Sequence, residues 1–225
     1  MIAQQVIEDA CEWAIMHGVA FRQVDNSARH CPFSIAPMTM KRNVYQHLCN
    51  VTPMVAKLIN RVSEDHDFLQ VSLGDVAKAD PFFGHLIQLH HQAHGDINNR
   101  KRVVRQPLLL LRTDYMDDKQ NGAKVVEFNG IAAGMAPFGQ KAAELHQYIQ
   151  QQWPHTYQDW AENPSAIPEK NTALTQLGSG IAVAAFKVKN EAGDSGKPTF
   201  MMVIQRITHK NDSETASLSV IACSV

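Results

Sequence analysis

Through its first hundred residues the chain repeats apolar side chains at three- and four-residue steps; past "NNRKR" (Asn98 to Arg102) it changes to short β-prone runs. A 3.6-residue period buries one stripe of a helix and a two-residue period one face of a strand, so this switch commits the chain to helices first and a mixed region after. Val6, Ile7, Ala10, Cys11, Ala14 and Ile15 predict an amphipathic helix over residues 3–17, with Gly18 as its stop. "CPFSIAP" (Cys31 to Pro37) holds the chain extended at Pro32 and Pro37. Val44, Leu48, Val51, Val55, Leu58 and Val62 then lay down a second stripe that Pro53 is expected to kink or split. In "DPFFGHLIQLHH" Asp80 reads as an N-cap and Pro81 as the first helical residue, with an end near Gly95.

Past the switch, "PLLLLR" (Pro107 to Arg112) and "AKVVEFN" (Ala123 to Asn129) read as two strands, with Asn121-Gly122 as a turn signal before the second. Alternation along the second strand places Val126 and Phe128 on one face and Val125, Glu127 and Asn129 on the other. A carboxylate and an amide oxygen side by side form a hard-oxygen pair suited to Mg2+; the alternative is the exposed face of an edge strand. "GIAAGMAPFG" follows, with small residues at Gly130, Ala132, Ala133 and Gly134 ahead of a helix expected over 140–152. Backbone N–H groups bared by small residues at a helix entrance can receive an anion or a peptide, and tight packing explains the same residues equally well. Further on, 150–171 reads as a loop with Trp153 and Trp160 as packing anchors, "ALTQLGSGIAVAAFKVKN" as a helix, and "TFMMVIQ" (Thr199 to Gln205) as a strand.

Function classes narrow by charge and chemistry. Lys and Arg number 21 against 22 Asp and Glu, for a net charge of -1, so no basic surplus tracks a nucleic-acid backbone or an anionic membrane. Cys11, Cys31, Cys49 and Cys223 contain no C-x-x-C pair, which suits free thiols in the cytoplasm. No apolar run approaches the roughly 20 residues of a membrane span, and the acidic residues of the first turns do not suit a signal peptide. His85, His90, His91 and His94 share one helix, and His90 with His94 have the one-turn spacing of a metal pair. With no H-E-x-x-H pattern and no nearby cysteine, packed or solvated histidines are the preferred reading.

"RTDYM" (Arg112 to Met116) followed by "VVEFNGIAAG" (Val125 to Gly134) resembles the paired signature of the eukaryotic-type glutathione synthetases, R-S-D-Y-M and E-x-N-T-I-S-x-S-F, and "CPFSIAP" resembles that family's A-P-F-T/S-L-x-P stretch. The resemblance spans most of residues 1–205. It implies an ATP-dependent ligase that joins γ-glutamylcysteine to glycine through an acyl phosphate, with Mg2+, as a homodimer in its full-length form. By position it implies that Arg112 binds the dipeptide and that Ile131, Ala132, Ala133 and Gly134 form the substrate stretch. Met116, Val126 and Glu127 fall at the nucleotide, and Glu127 and Asn129 at the metal. No catalytic side chain is implied. Gly130, Ala132 and Gly134 stand where that family has a threonine and two serines. The family is about twice this length and carries an ATP-grasp fold in its later part, so a truncated form without activity of its own is expected. The expected class is α/β, α+β mixed: a helical region over 1–105, a partial α/β layer with a short, mostly parallel sheet over 106–205, and a divergent tail over 206–225.

Overall fold

The computed structural model describes residues 2–94, 106–130, 133–205 and 218–224, with side chains as far as Met201. In chain order the elements are α1 (Ile2–Met16), β1 (Ala20–Arg22), β2 (Ala28–His30), α2 (Arg42–Glu64), α3 (His66–Ala79), α4 (Pro81–His94), β3 (Arg112–Asp118), β4 (Gly122–Asn129), α5 (Ala136–Gln152), α6 (Pro154–Trp160), α7 (Ala173–Ala192), β5 (Thr199–Gln205) and β6 (Leu218–Ser224). They divide into two compact units, one of Met1–Met40, Ile131–Lys189 and Ser195–Val225, the other of Lys41–Gly130 and Asn190–Asp194. Among the described residues no helix is long and apolar enough to cross a membrane.

The class is mixed helix and strand, but the mostly parallel sheet is corrected. The described strands form three separate antiparallel pairs, β1 with β2, β3 with β4 and β5 with β6. Connection length decides this for β3 and β4: three residues join them, and a parallel pair needs a crossover of a dozen or more. Asp118 Oδ1 accepts from the backbone N–H groups of Gln120 (2.8 Å) and Asn121 (2.7 Å), and Gly122 takes φ 74° to turn the chain back. The strand expected over 107–112 is displaced to Arg112–Asp118, since the register sets Arg112 opposite Asn129, the last residue of β4, and leaves 107–111 no partner there.

In the first unit α1 buries a narrower stripe than predicted: Val6, Ala10 and Ala14 are fully covered, Cys11 is partly covered, and Ile7 and Ile15 stay exposed because only the four-residue row faces the core. Val6 and Ala10 meet Leu145 and Ile149 of α5, with Tyr157 of α6 and Ala161, while Phe33, Ile35 and Ala36 of the "CPFSIAP" segment pack against the same cluster. Polar groups lock this core as well. Asp9 accepts from Tyr148 Oη at 2.9 Å and Trp153 Nε1 at 2.6 Å, which makes Trp153 the anchor expected of it. The loop expected over 150–171 contains α6, because Pro154 starts a helix rather than breaking one.

His146 is buried and its Nε2–H donates to the Ser34 carbonyl at 2.8 Å, pinning the extended segment to α5. Burial pushes this imidazole below the ordinary histidine value of 6.5, against the smaller upward pull of that hydrogen bond. Between the lowered folded value and 6.5 the unfolded chain binds more protons, so the stability this group contributes is present above 6.5 and lost as pH falls through that window. Urea midpoints measured from neutral to mildly acidic pH should therefore drop more steeply for the native chain than for His146→Leu.

In the second unit, α2 runs through Pro53 as one element, so the expected split does not occur; the proline forgoes only one ladder bond. Asp80 caps α4 as expected, accepting from the N–H of Phe82 at 2.8 Å and of Phe83 at 3.4 Å, with Pro81 in first place. Asp65 caps α3 in the same way through Phe68 N–H at 3.0 Å. At the crossing of α3 and α4, a Cβ on Gly84 would lie 2.7 Å from the Ala77 carbonyl oxygen. A backbone oxygen cannot swing aside, so Gly84→Ala should destabilise this helical hairpin by about 1–3 kcal/mol in urea unfolding.

Candidate functional site

Arg112 and Asn129 stand opposite each other where β3 begins and β4 ends, and Asp114 stands opposite Glu127 one step further in. Directly opposed residues of an antiparallel pair share a face, so these four side chains form one cluster. Arg112 grips Asp114 through Nε to Oδ1 at 2.8 Å and Nη2 to Oδ2 at 2.9 Å, and the same Nη2 reaches Glu127 Oε1 at 3.5 Å. Asn129 Nδ2 donates to that Glu127 oxygen at 2.8 Å. The expected sharing of a face by Glu127 and Asn129 is thus observed, and Arg112 joins them.

Electrostatics follow from the pairing. The hydrogen-bonded Asp114 holds the Arg112 guanidinium above its ordinary value, with Glu127 adding a smaller push. Arg112 in turn holds the Asp114 carboxyl below the usual carboxylate range. Arg112 and Asp114 are each 35% exposed and Glu127 55%, so the cluster is open enough to exchange its partners for a ligand.

The register also corrects one expectation. Asp114 faces Glu127 while the next residue, Tyr115, faces Val125, so Val126 is the extra residue of a β-bulge. Beyond the bulge the alternation is reset: Val125 lies on the face of Phe128, and Lys124, opposite Met116, takes the face of Glu127. Met116 is 65% exposed and shares the face of Arg112 and Asp114. Of the small-residue stretch, Ile131 and Ala132 lie outside the described residues, and Ala133 and Gly134 belong to the other unit. A Cβ added at Gly130 or Gly134 would meet nothing within 4 Å, so tight packing does not require glycine at either place.

Asp114 was not singled out by sequence reasoning. The available signal was Arg-x-Asp in "RTDYM", because a two-residue step on a strand returns both side chains to one face.

Glu127 and Asn129 suit Mg2+ by donor chemistry: a carboxylate and an amide supply hard oxygens, and Mg2+ takes one or two protein ligands with water and phosphate completing its shell. The histidines are arranged differently. His90 Nε2 contacts the Ser63 carbonyl at 2.7 Å, His66 Nδ1 contacts His90 Nδ1 at 3.2 Å, and His91 Nδ1 contacts His66 Nε2 at 3.0 Å. In neutral rings the carbonyl forces the order: His90 donates to Ser63, His66 to His90 and His91 to His66. The rings satisfy one another in a line, and among the described residues no group of three or more His, Cys, Asp or Glu side chains is placed to hold a metal ion. His85 is exposed and outside that line.

Fold and hairpin together define a mixed helix-and-strand protein that sets a carboxylate-gripping guanidinium beside a pair of hard-oxygen donors. The family model described as eukaryotic glutathione synthase, ATP binding domain, matches residues 2–211, and the chain belongs to that family. It is 31% identical over 214 residues to the chloroplastic glutathione synthetase of Solanum lycopersicum, a match covering 91% of this chain and 37% of that protein. With the chloroplastic glutathione synthetase of Arabidopsis thaliana it shares 29% over 197 residues, 83% of this chain and 35% of the relative. The glutathione synthetase large chain of Schizosaccharomyces pombe is 27% identical over 223 residues, 90% of this chain and 44% of that one. The chain therefore spans under half the length of these relatives.

Proposed function

We propose that this chain carries the dipeptide-gripping and metal-holding portion of an ATP-dependent ligase that joins γ-glutamylcysteine to glycine, and that by itself it binds rather than turns over. The observation that carries this reading is the convergence of Arg112, Glu127 and Asn129 on one face of one hairpin. Arg112 offers a planar fork to a substrate carboxylate, and Glu127 with Asn129 would hold Mg2+. A metal held there would stabilise charge on the phosphate oxygens as a phosphoryl group passes from ATP to the dipeptide carboxylate, leaving ADP; the glycine amine then attacks the acyl phosphate so formed and releases inorganic phosphate. Met116 and Val126 are assigned to the nucleotide side, and Ile131, Ala132, Ala133 and Gly134 to the substrate stretch, by their place in the family motif. Cys11, Cys31 and Cys49 carry free thiols, which supports a reducing compartment such as the cytoplasm. For the full-length form the family resemblance implies a homodimer.

Gly130, Ala132 and Gly134, standing where the family motif has a threonine and two serines, remove hydroxyl donors to a substrate and favour a second reading beside the first, a non-catalytic module that binds a small peptide or serves dimerisation. Calorimetry of the chain with γ-glutamylcysteine separates both from a purely structural role: saturable heat at millimolar ligand or below is expected, and its absence overturns the substrate-binding proposals. Phosphate release from ATP in the presence of the dipeptide, glycine and Mg2+ is expected to stay at background. Turnover above background would instead assign the ligase reaction to this chain alone.

A further inference from the structure

We propose that Asp114 is a positioning residue that keeps the Arg112 guanidinium off the Glu127 carboxylate, so that Glu127 stays available to a divalent cation. The inference rests on the reading of Glu127 and Asn129 as the metal pair. Its ground is a competition visible in the distances. Arg112 has two carboxylates within reach on the same face, and it closes on Asp114 with two parallel bonds of 2.8 and 2.9 Å while remaining 3.5 Å from Glu127. A forked guanidinium-carboxylate pair is both stronger and more directional than a single long contact, so the fork decides where the guanidinium sits. Asp114 is also the nearer neighbour by sequence, two residues along the same strand, and needs no strand movement to hold Arg112.

Remove that fork and Glu127, across the strand pair, is a carboxylate already at the edge of contact through Nη2. The guanidinium then closes on Glu127, occupying a metal ligand and bringing a positive charge up to the cation's place. Charge counting gives a sharp signature. In the native cluster one guanidinium between two carboxylates leaves one net negative charge. Asp114→Asn leaves none and frees the guanidinium to pair with Glu127. Adding Arg112→Ala to Asp114→Asn restores the single negative charge and removes the competitor. A role for Asp114 in merely keeping the hairpin folded predicts no such rescue.

The test is Mn2+ binding, followed by the loss of the free-ion electron paramagnetic resonance signal, with the whole chain and three variants. Asp114→Asn should raise the Mn2+ Kd about tenfold, the usual scale for losing one charge-assisted contact. The double variant Arg112→Ala/Asp114→Asn should return to within about threefold of the native chain, by the same scale. Asp114→Glu, which keeps a fork-accepting carboxylate, should stay close to native. A native Kd in Asp114→Asn overturns the positioning role while leaving the metal pair standing, and so does a double variant as weak as Asp114→Asn. No Mn2+ binding by the native chain overturns the metal pair itself and the inference with it. A second readout needs no metal: the Arg112 Nε–H, held by Asp114 in the native chain, should change its nitrogen chemical shift in Asp114→Asn, and an unchanged shift counts against the proposal.

Discussion

If Arg112 grips the dipeptide and Glu127 with Asn129 holds the metal, as proposed, Arg112→Ala is expected to weaken γ-glutamylcysteine binding and strengthen Mg2+ binding. The dipeptide loses the only guanidinium on that face of β3 and β4, and charge-assisted hydrogen bonds of this kind carry on the order of tenfold to a hundredfold in Kd. The metal gains because Glu127 sheds its contact with Nη2 at 3.5 Å and the cluster is left with two unopposed carboxylates. At an exposed site screened by water that gain is roughly threefold to tenfold and shrinks as salt is raised. Arg112→Lys keeps the charge and loses the planar fork, so it should sit near Arg112→Ala for the dipeptide and near the native chain for the metal. Calorimetry for the dipeptide and Mn2+ resonance for the metal read the two separately. Dipeptide affinity unchanged in Arg112→Ala would remove Arg112 from the substrate site, and a change of the same sign in both affinities would point to a damaged hairpin.

How far the sequence discloses this arrangement depends on the range over which each feature is determined. The α1 helix and the Asp80-Pro81 helix start are set by neighbours three or four residues apart and both stand as read, while the buried stripe of α1 narrows to Val6, Ala10 and Ala14 and leaves Ile7 and Ile15 exposed. The pairing of Glu127 with Asn129 is likewise a two-residue property of one strand. What escaped depends on a partner. The bulge at Val126, which moves Val125 to the other face, exists only because β3 and β4 differ in length between matched pairs. The strand start at Arg112 is set by where β4 ends, not by the more apolar leucines before it. Asp9 looks like an ordinary solvent-facing residue of α1 until Tyr148 and Trp153, about 140 positions away, arrive to donate to it. Asp114 is the instructive middle case: its spacing from Arg112 was local and readable, but its role becomes visible only beside Glu127 across the strand pair.

The core of the first unit makes the other large prediction. Leu145→Ala should lower the unfolding free energy of the unit that contains it by about 2–5 kcal/mol, the range for truncating a fully buried leucine. Leu145 has no exposed surface and packs in one cluster with Val6, Ala10, Ile149 and Tyr157, all within 2% of full burial. Ala10 is the reason the cavity cannot heal cheaply: the smallest side chain of the α1 stripe already faces this cluster, and it has no atoms to extend into the space a leucine leaves. Leu145→Met conserves volume and should cost less than about 1.5 kcal/mol, which distinguishes a packing loss from a general intolerance of the position. Urea unfolding gives the size of the effect, and native-state hydrogen exchange gives its place, with α1 and α5 amides losing protection together because they share the cluster. If Leu145→Ala costs less than the methionine variant, or if α5 loosens while α1 does not, the packing of α1 on α5 through Leu145 is wrong.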